Sequence, residues 1–335
     1  MNIGVCGTGT IASWISSILG QLNDDNIVLY ACATSPGFDC REFAEKYGWQ
    51  KICADYDELM QDPEVDVVYI AVPNNLHYEM CVKALNYGKP VICEKPFAIN
   101  EAECKKILDL AEEKGLFITE ALWPSFLPAH KMINEEISAG IIGEIKSGNI
   151  VMLDFVMFLD RVKSLEAGGG SLMDGGPYTL GCMTNHFGTD IKSVSSQTRK
   201  LDTGVDAEDQ ITVEYEDGKV VTIRQTIDMP HENHEEFFEI VGTKGKIWGD
   251  CVSNPREVKI YDTAGNVVKE LKIPPQIKNQ GMPPVSGYEY EFQAFEKALR
   301  EGRTECVEIP HHETLAIARV MTEVRKQAGI VFPFE

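Results

Sequence analysis

The chain has 335 residues, of which 44% are hydrophobic and 25% are charged, and its formal net charge is −21 at pH 7. This length is typical of two domains, because one hydrophobic core rarely organises more than about 250–300 residues. The acidic excess argues against a nucleic-acid partner or an anionic membrane surface, since phosphates would repel it. No apolar run approaches the roughly 20 residues that cross a bilayer, so we expect no membrane segment.

The cysteines and the amino terminus indicate the compartment. Ten cysteines show no C-x-x-C spacing, and Cys6, Cys32 and Cys93 lie inside apolar segments. This predicts buried free thiols in a reducing cytoplasm, and not disulfides or zinc ligands. Met1 leads directly into a strand-like segment without a signal-peptide pattern, which also predicts a cytoplasmic protein.

The first part of the chain alternates short apolar strands with amphipathic helices, a pattern that predicts a parallel, doubly wound sheet. The predicted strands are Asn2–Cys6, Ile27–Ala33, Val65–Val72, Lys89–Cys93 and Phe117–Ala121. The predicted helices are Ile11–Leu19, Cys40–Tyr47, Tyr56–Met60, Leu76–Asn86 and Asn100–Lys114. We therefore predict an α/β Rossmann domain over residues 1–121.

The pattern changes after about residue 125. A helix over Ala129–Ala139 precedes segments with two-fold alternation, which predicts an antiparallel or mixed sheet with one covered face. These segments are Gln210–Tyr215, Val220–Thr226, Phe237–Val241 and Val258–Tyr261. The proline-rich stretch Ile273–Gly287 and two helices, Tyr288–Arg300 and Glu313–Gln327, follow. We predict a C-terminal α+β domain over residues 122–335 with a large, open, mostly antiparallel sheet, whose last helices can pack back on the first domain.

A glycine motif joins the first predicted strand to the first helix. Residues 7–12 fit G-x-G-x-x-A: Gly7 allows the tight turn, and Gly9 lets the backbone approach a pyrophosphate. Thr10 and Ile11 begin the helix, whose N-terminus favours bound phosphate. This context predicts a dinucleotide-binding site.

The end of the second strand indicates which dinucleotide binds. An acid at this place would bind the ribose hydroxyls of NAD, and none occurs before Asp39. Thr34, Ser35 and Arg41 can instead meet a 2′-phosphate, although Arg41 can equally be a solvated helix residue. We therefore predict NADP as the cofactor, with NAD as the alternative.

The next parallel strand ends in Ala71-Val72-Pro73-Asn74, with His77 one turn later. Ala71, Pro73, Asn74 and His77 are predicted to lie against the ribose or nicotinamide of the cofactor. A helix capped by Asn74 with a packed histidine is the alternative interpretation, and the two are compatible.

The strand that ends at residue 93 is followed by Glu94-Lys95-Pro96. In an open α/β sheet the carboxyl ends of the strands form the ligand crevice, so Glu94 and Lys95 are predicted to lie beside the cofactor. Desolvation and a neighbouring cation can lower the pKa of a lysine enough for acid/base work. A solvated surface lysine is the alternative for this tripeptide taken alone.

Taken together, GTGTIA, AVPNNLH and EKP at this spacing resemble the Gfo/Idh/MocA family of NAD(P)-dependent oxidoreductases. Further segments of the family are matched by EALWPSFLP (120–128), GGGSLMDGGPY (168–178), TGVD (203–206) and GTKG (242–245). The resemblance covers essentially the whole chain and is nearest to the dimeric dihydrodiol dehydrogenase and NADP-dependent D-xylose dehydrogenase branch. Two features depart from the family: Ser125 replaces an arginine of many members, and Pro36-Gly37 is inserted after the second strand.

The resemblance implies hydride transfer between nicotinamide and a secondary alcohol of a sugar or a cyclic trans-diol. Lys95 and Tyr178 are the implied proton-transfer pair, and which of them exchanges the proton directly stays open. Asp174 lies one turn before Tyr178 if the segment is helical, and it can orient the lysine, bind a substrate hydroxyl or cap the next helix. Arg161 and Trp123 are expected at the substrate, and Trp123 also at the cofactor.

The expected partners are a small sugar or diol and a second copy of the chain, in a homodimer or higher homo-oligomer. A metal is not expected, because the H-x-x-H spacing of His231 and His234 lies in a strand-like context. Two other functions stay open: a cofactor-binding regulator without turnover, and a glycosidase that uses tightly held NAD as a transient hydride acceptor.

Overall fold

The computed structural model describes residues 1–22, 24–281 and 285–335. Met282, Pro283 and Pro284, within the proline-rich stretch, lie outside the described residues. The chain forms two compact units that are each discontinuous in sequence. The N-terminal unit comprises Met1–Ala98, Ala102–Trp123 and Pro275–His311, and the C-terminal unit comprises Ile99–Glu101, Pro124–Pro274 and His312–Glu335. The sequence-based division at residues 121 and 122 stays a prediction.

The N-terminal unit contains a parallel six-stranded sheet of order β3-β2-β1-β4-β5-β6. Its strands are β1 (Asn2–Cys6), β2 (Val28–Ala33), β3 (Lys51–Ile52), β4 (Val67–Ile70), β5 (Val91–Glu94) and β6 (Ile118–Ala121). Its helices are α1 (Thr10–Leu19), α2 (Arg41–Tyr47), α3 (Tyr56–Gln61), α4 (His77–Asn86), α5 (Glu101–Lys114) and, far along the chain, α9 (Tyr288–Arg300). Every residue of β4 and β5 is buried, as expected when helices cover both faces of a sheet.

The strand order reverses between β1 and β4. From β1 the chain winds outward through β2 and β3, and it then returns to β4 and winds outward the other way through β5 and β6. In doubly wound folds such a switch point opens a crevice at the carboxyl ends of the strands, where ligands bind. The predicted parallel Rossmann sheet is confirmed, and the sequence pattern missed only the two-residue β3, which is too short to show a period.

The C-terminal unit contains an eight-stranded sheet of order β14-β13-β12-β11-β7-β10-β9-β8. Its strands are β7 (Ile145–Leu153), β8 (Ile191–Lys200), β9 (Asp206–Tyr215), β10 (Val220–Thr226), β11 (Glu235–Gly242), β12 (Gly245–Gly249), β13 (Val258–Asp262) and β14 (Val267–Glu270). All pairs are antiparallel except β7 with β10. The predicted mostly antiparallel sheet is therefore confirmed.

The C-terminal unit also contains helices, two of which pack on this sheet. They are α6 (Pro128–Ser138), α7 (Ser171–Asp174), α8 (Gly176–Phe187) and α10 (His311–Ala328). Helix α7 packs on β9 and β10, and α8 packs on β7 and β10. Strand β9 alternates buried positions with more exposed ones, which is the pattern of a sheet with one covered face.

The cysteines are free thiols, as predicted, and nine of the ten are buried. Burial raises the pKa of the Cys53 thiol to about 11 and that of Cys306 to about 12, so these thiols are unreactive at neutral pH. Within the described ranges, every helix falls short of the length and apolarity that a bilayer-spanning segment needs.

Candidate functional site

Three loops of the N-terminal unit meet at the switch point. The Gly7 N–H donates to the Ala33 carbonyl at 2.9 Å, which ties the glycine loop to the end of β2. The Ala71 N–H donates to the Cys6 carbonyl at 2.9 Å, which ties the end of β4 to the end of β1. The predicted cofactor residues of these loops are therefore brought together at the carboxyl edge of the sheet.

The glycine loop fits a dinucleotide pyrophosphate. Gly7 has φ +103°, and a Cβ there would lie 2.4 Å from the Ala71 carbonyl oxygen, so only glycine is accommodated. Gly9 is exposed, and a Cβ built on it would meet nothing within 4 Å. Helix α1 begins after Gly9 without a side-chain cap and without an acid in its first turn. Its N-terminal N–H groups are thus available to an anion, as the motif predicts.

The end of β2 carries hydroxyl groups. The Thr8 hydroxyl donates to the Thr34 hydroxyl at 3.2 Å, and the Ser35 and Tyr56 hydroxyls share a hydrogen bond of 3.1 Å. Arg41 does not lie free, because its guanidinium binds Asp39 with contacts of 2.7 and 2.9 Å. Both members of this ion pair are largely exposed, and solvent screens such pairs strongly. An incoming phosphate can therefore compete with Asp39 for Arg41.

His77 contacts the loops that follow β4 and β5 through both of its ring nitrogens. Its side chain is 1% exposed, with Nδ1 2.8 Å from the Pro96 carbonyl oxygen and Nε2 2.9 Å from the Val72 carbonyl oxygen. Burial, aided by the charge of Lys95, lowers its pKa, so the ring is neutral at pH 7 and donates one N–H. Asn74 does not cap α4 as the alternative interpretation had it, because α4 has Leu76 at its N-cap position and no side-chain cap.

Glu94 and Lys95 stand at the carboxyl end of β5. Glu94 is 7% exposed, and its carboxyl accepts the Tyr69 O–H at 2.5 Å and the Lys95 backbone N–H at 3.2 Å. Burial raises the pKa of Glu94 to about 7, against the opposing effects of Tyr69 and Lys95. Lys95 is half-buried and precedes a cis bond to Pro96. The carboxyl beside Lys95 is therefore about half protonated at neutral pH.

A second buried acid lies behind this pair. Glu291 on α9 is fully buried, and neither carboxyl oxygen has a hydrogen-bond partner among the described residues. Burial and the charge of Glu94 raise its pKa well above the ordinary value, which favours the protonated form. No sequence pattern marked Tyr69, because it lies in a continuous apolar strand. Glu291 had a weak sequence signal, because it is an acid between Tyr288 and Phe295 on the apolar stripe of α9.

Trp123 lies in the core of the N-terminal unit. It is 8% exposed, and its ring stacks on Tyr288 with centroids 4.9 Å apart and planes at 28°. The Phe97 N–H, just after the EKP tripeptide, donates to Glu120 at 3.2 Å. The segment that begins at Glu120 therefore supports the backbone that follows Lys95.

The C-terminal unit holds the other predicted residues. The Arg161 Nη1 donates to the Asp174 Oδ1 at 2.7 Å, and Tyr178 is half-buried in the first turn of α8. Asp174 and Tyr178 lie on two helices, α7 and α8, that meet at Gly175, and not on one continuous helix. The alternative role of Asp174 as a cap is not seen, because Gly175 is the N-cap of α8.

The predicted residues thus fall into two clusters, one in each unit. The glycine loop, the ends of β2 and β4, Glu94, Lys95 and Trp123 belong to the N-terminal unit. Arg161, Asp174 and Tyr178 belong to the C-terminal unit. In the parts of the chain that the structure describes, no group of three or more His, Cys, Asp or Glu side chains is arranged to hold a metal ion.

Family models match both parts of the chain. Residues 1–121 match an oxidoreductase family with an NAD-binding Rossmann fold, and residues 130–248 match the GFO/IDH/MocA C-terminal domain. The chain belongs to the Gfo/Idh/MocA oxidoreductase family. This confirms the resemblance that the motifs indicated.

Named relatives extend over nearly the full length. The chain is 29% identical to trans-1,2-dihydrobenzene-1,2-diol dehydrogenase of Bos taurus and 28% identical to the Homo sapiens protein. Each alignment covers 98% of this chain and 97% of the relative.

Solved structures share the fold. Levoglucosan dehydrogenase in complex with NADH and levoglucosan superposes with a TM-score of 0.84 at 23% identity. A 3-ketoreductase from Actinomadura kijaniata in complex with NADP and TDP-benzene gives 0.83 at 22% identity. Both matches cover 98% of this chain and 97% of the other chain.

Proposed function

We propose that this enzyme transfers hydride reversibly between nicotinamide and a secondary alcohol of a sugar or a cyclic trans-diol, with NADP as the preferred cofactor. The observation that carries the proposal is the placement of Lys95. It directly follows the buried strand β5 at the ligand edge of a Rossmann sheet, beside Glu94, whose pKa burial raises to about 7. A cationic side chain with a titrating neighbour suits proton transfer at physiological pH.

The cofactor residues have separate roles in this proposal. Gly7, Gly9 and the N–H groups of Thr10 and Ile11 receive the pyrophosphate. Thr34 and Ser35 offer hydroxyl groups to the adenosine ribose, and Arg41 exchanges Asp39 for a 2′-phosphate. Ala71, Pro73 and Asn74 line the nicotinamide ribose, and His77 acts by positioning their loop.

The bound dinucleotide supplies the hydride acceptor, so the protein must accept the proton that the substrate hydroxyl loses. Lys95 and Tyr178 share this task. A free phenol titrates near ~10, and a nearby ammonium group stabilises the phenolate and lowers that value. In the reductive direction the same pair returns a proton to the alkoxide.

Asp174 and Arg161, both in the C-terminal unit, form the substrate-binding half of the proposal. The carboxylate accepts hydroxyl protons and the guanidinium donates, so a paired Asp174–Arg161 can bind two neighbouring hydroxyls. This fits a sugar or a trans-diol better than a simple alcohol. The names of the dihydrodiol and levoglucosan dehydrogenases support the same substrate class. A homodimer and a cytoplasmic location remain part of the proposal.

The test is a turnover panel with both cofactors. Purified protein is incubated with NADP or NAD and with D-xylose, D-glucose, levoglucosan or trans-1,2-dihydrobenzene-1,2-diol, and reduced cofactor is followed by absorbance. Turnover of at least one member, faster with NADP, supports the proposal. Cofactor binding without turnover of any alcohol would favour the regulator. Retained NAD with glycoside cleavage and no net reduction would favour the glycosidase.

A further inference from the structure

Two buried aspartates lie beneath the helices that carry Asp174 and Tyr178. Asp206 is 1% exposed and Asp209 is not exposed at all, and both belong to β9. Burial raises the pKa of both acids, and their charges interact, so the pair resists carrying two negative charges.

Hydrogen bonds decide which aspartate is the anion. Asp209 accepts the Thr198 O–H at 2.8 Å on Oδ1 and the Gln225 N–H at 3.1 Å on Oδ2. A carboxylate that accepts several hydrogen bonds is stabilised in its charged form. Asp206 accepts fewer hydrogen bonds: its Oδ2 accepts the Leu172 N–H at 2.5 Å, and its Oδ1 has no hydrogen-bond partner among the described residues. The donors therefore favour the charge on Asp209, and burial together with that charge raises the pKa of Asp206 well above the ordinary value.

The hydrogen bonds of the two aspartates reach both α7 and α8. These two helices carry Asp174 and Tyr178, and we call them the catalytic segment (residues 171–187). At one end, Asp206 binds the backbone of Leu172 at the start of α7. At the other end, the Thr179 O–H donates to Gln225 Oε1 at 2.8 Å, and Thr179 follows Tyr178 directly on α8. Thr179 is thus linked through Gln225 to Asp209, and Leu172 is bound directly by Asp206.

Gly170 leaves the space that the Asp206 carboxyl occupies at the start of α7. Its φ is +119°, and a Cβ there would lie 2.1 Å from Asp206 Oδ1. Glycine is therefore required where Asp206 reaches the start of α7. Two sequence motifs, the glycines at 168–170 and the T-G-V-D segment that ends at Asp206, thus meet in one contact.

We propose that Asp209 is a buried anion that positions the catalytic segment. Together with Asp206, Gln225 and Thr179, it fixes the angle at which α7 and α8 meet at Gly175, and hence the places of Asp174 and Tyr178. These are positioning residues, because they act through the two helices. The proposal rests on the proposed function, in which Asp174 and Tyr178 serve the substrate.

The proton placement predicts an asymmetry between two similar variants. In Asp206→Asn, the amide oxygen still accepts the Leu172 N–H, and the side chain stays neutral. In Asp209→Asn, the negative charge is lost, and the new amide NH2 group faces the Thr198 and Gln225 donors, with which it cannot form a hydrogen bond. We expect Asp206→Asn to keep kcat within about threefold. We expect Asp209→Asn to lose roughly 10- to 100-fold, because small misplacements of reacting groups cost rates of that order.

The experiment measures kcat, KM, cofactor affinity and thermal stability for both variants, with the exposed Asp202→Asn as a matched control. Thr179→Val and Thr179→Ser are added because neither alters a buried charge. The expected result is that Thr179→Val lowers kcat, Thr179→Ser restores it, and NADPH affinity is unchanged throughout. Equal effects of the two Asp→Asn changes, or full activity of Thr179→Val, would overturn the proposal.

Infrared spectroscopy tests the proton directly in the wild-type protein. The carbonyl stretch of one protonated carboxylic acid should disappear in Asp206→Asn, and its persistence would contradict the assignment. If the wild type turns over no alcohol, the proposed function fails. The infrared signal and the difference in stability between the two Asp→Asn variants then still decide whether Asp206 is the protonated member of the pair.

Discussion

Replacing Glu94 by glutamine should remove a pH dependence from the stability of the protein. Burial raises the pKa of Glu94 from 4.5 to about 7. A carboxyl with a raised folded-state pKa stabilises the fold fully below its unfolded pKa, and this contribution is lost as pH rises through the folded pKa. The difference between 4.5 and about 7 corresponds to ~3 kcal/mol, at about 1.36 kcal/mol for each pKa unit.

Glutamine mimics the protonated carboxyl at all pH values. It keeps an oxygen for the Tyr69 hydroxyl but loses the acceptor of the Lys95 N–H, and that loss shifts stability equally at every pH. The variant should therefore gain ~3 kcal/mol relative to wild type between about pH 4.5 and pH 7.

Urea unfolding followed by tryptophan fluorescence measures this difference. The curves are recorded from about pH 4.5 to about pH 8, the interval over which the difference should develop and then level off. Glu113→Gln, at an exposed position of α5, is the matched control and should leave the pH dependence of wild type unchanged. A constant difference between Glu94→Gln and wild type across this range would refute the reasoning, because it would mean that Glu94 titrates normally in the folded protein.

Three further substitutions test separate parts of the account. Gly7→Ala places a Cβ 2.4 Å from the Ala71 carbonyl oxygen, at a residue with a left-handed backbone conformation. The free energy of unfolding should therefore fall by at least ~1–3 kcal/mol, as measured by thermal melting. The affinity for NADPH should fall as well, as measured by fluorescence titration. Arg41→Met should weaken NADPH binding roughly tenfold and leave NADH binding unchanged in the same titration. Arg161→Met should raise KM for the polyol roughly tenfold at constant cofactor affinity, and an unchanged KM would remove Arg161 from the substrate site.

Much of the fold was predictable because its signals are local. The alternation of apolar strands with helices gave the Rossmann sheet, and Gly7 and Gly9 marked the cofactor loop. Strand β8, with the sequence IKSVSSQTRK, was missed because its residues are mostly polar and exposed. Its place in the sheet is fixed by pairing with β9, which no pattern within β8 reveals.

The motifs named candidate site residues but not their environments. They pointed to Lys95, Asp174 and Tyr178, but the break at Gly175 depends on how the two helices pack on the sheet. Tyr69 on β4 and Glu291 on α9 interact with Glu94 although they lie far apart in sequence. Burial sets the pKa values of such groups, and burial is a property of the fold and not of the motif.

The most direct test of the central claim is the turnover of Lys95→Met. Methionine keeps much of the lysine volume and removes the ionisable group. With the best alcohol of the panel, kcat should fall by at least ~10²-fold, the typical contribution of a positioned acid or base. NADPH affinity should stay near that of wild type, and Lys114→Met, at an exposed position of α5, should behave as wild type. Near-normal turnover of Lys95→Met would contradict the account.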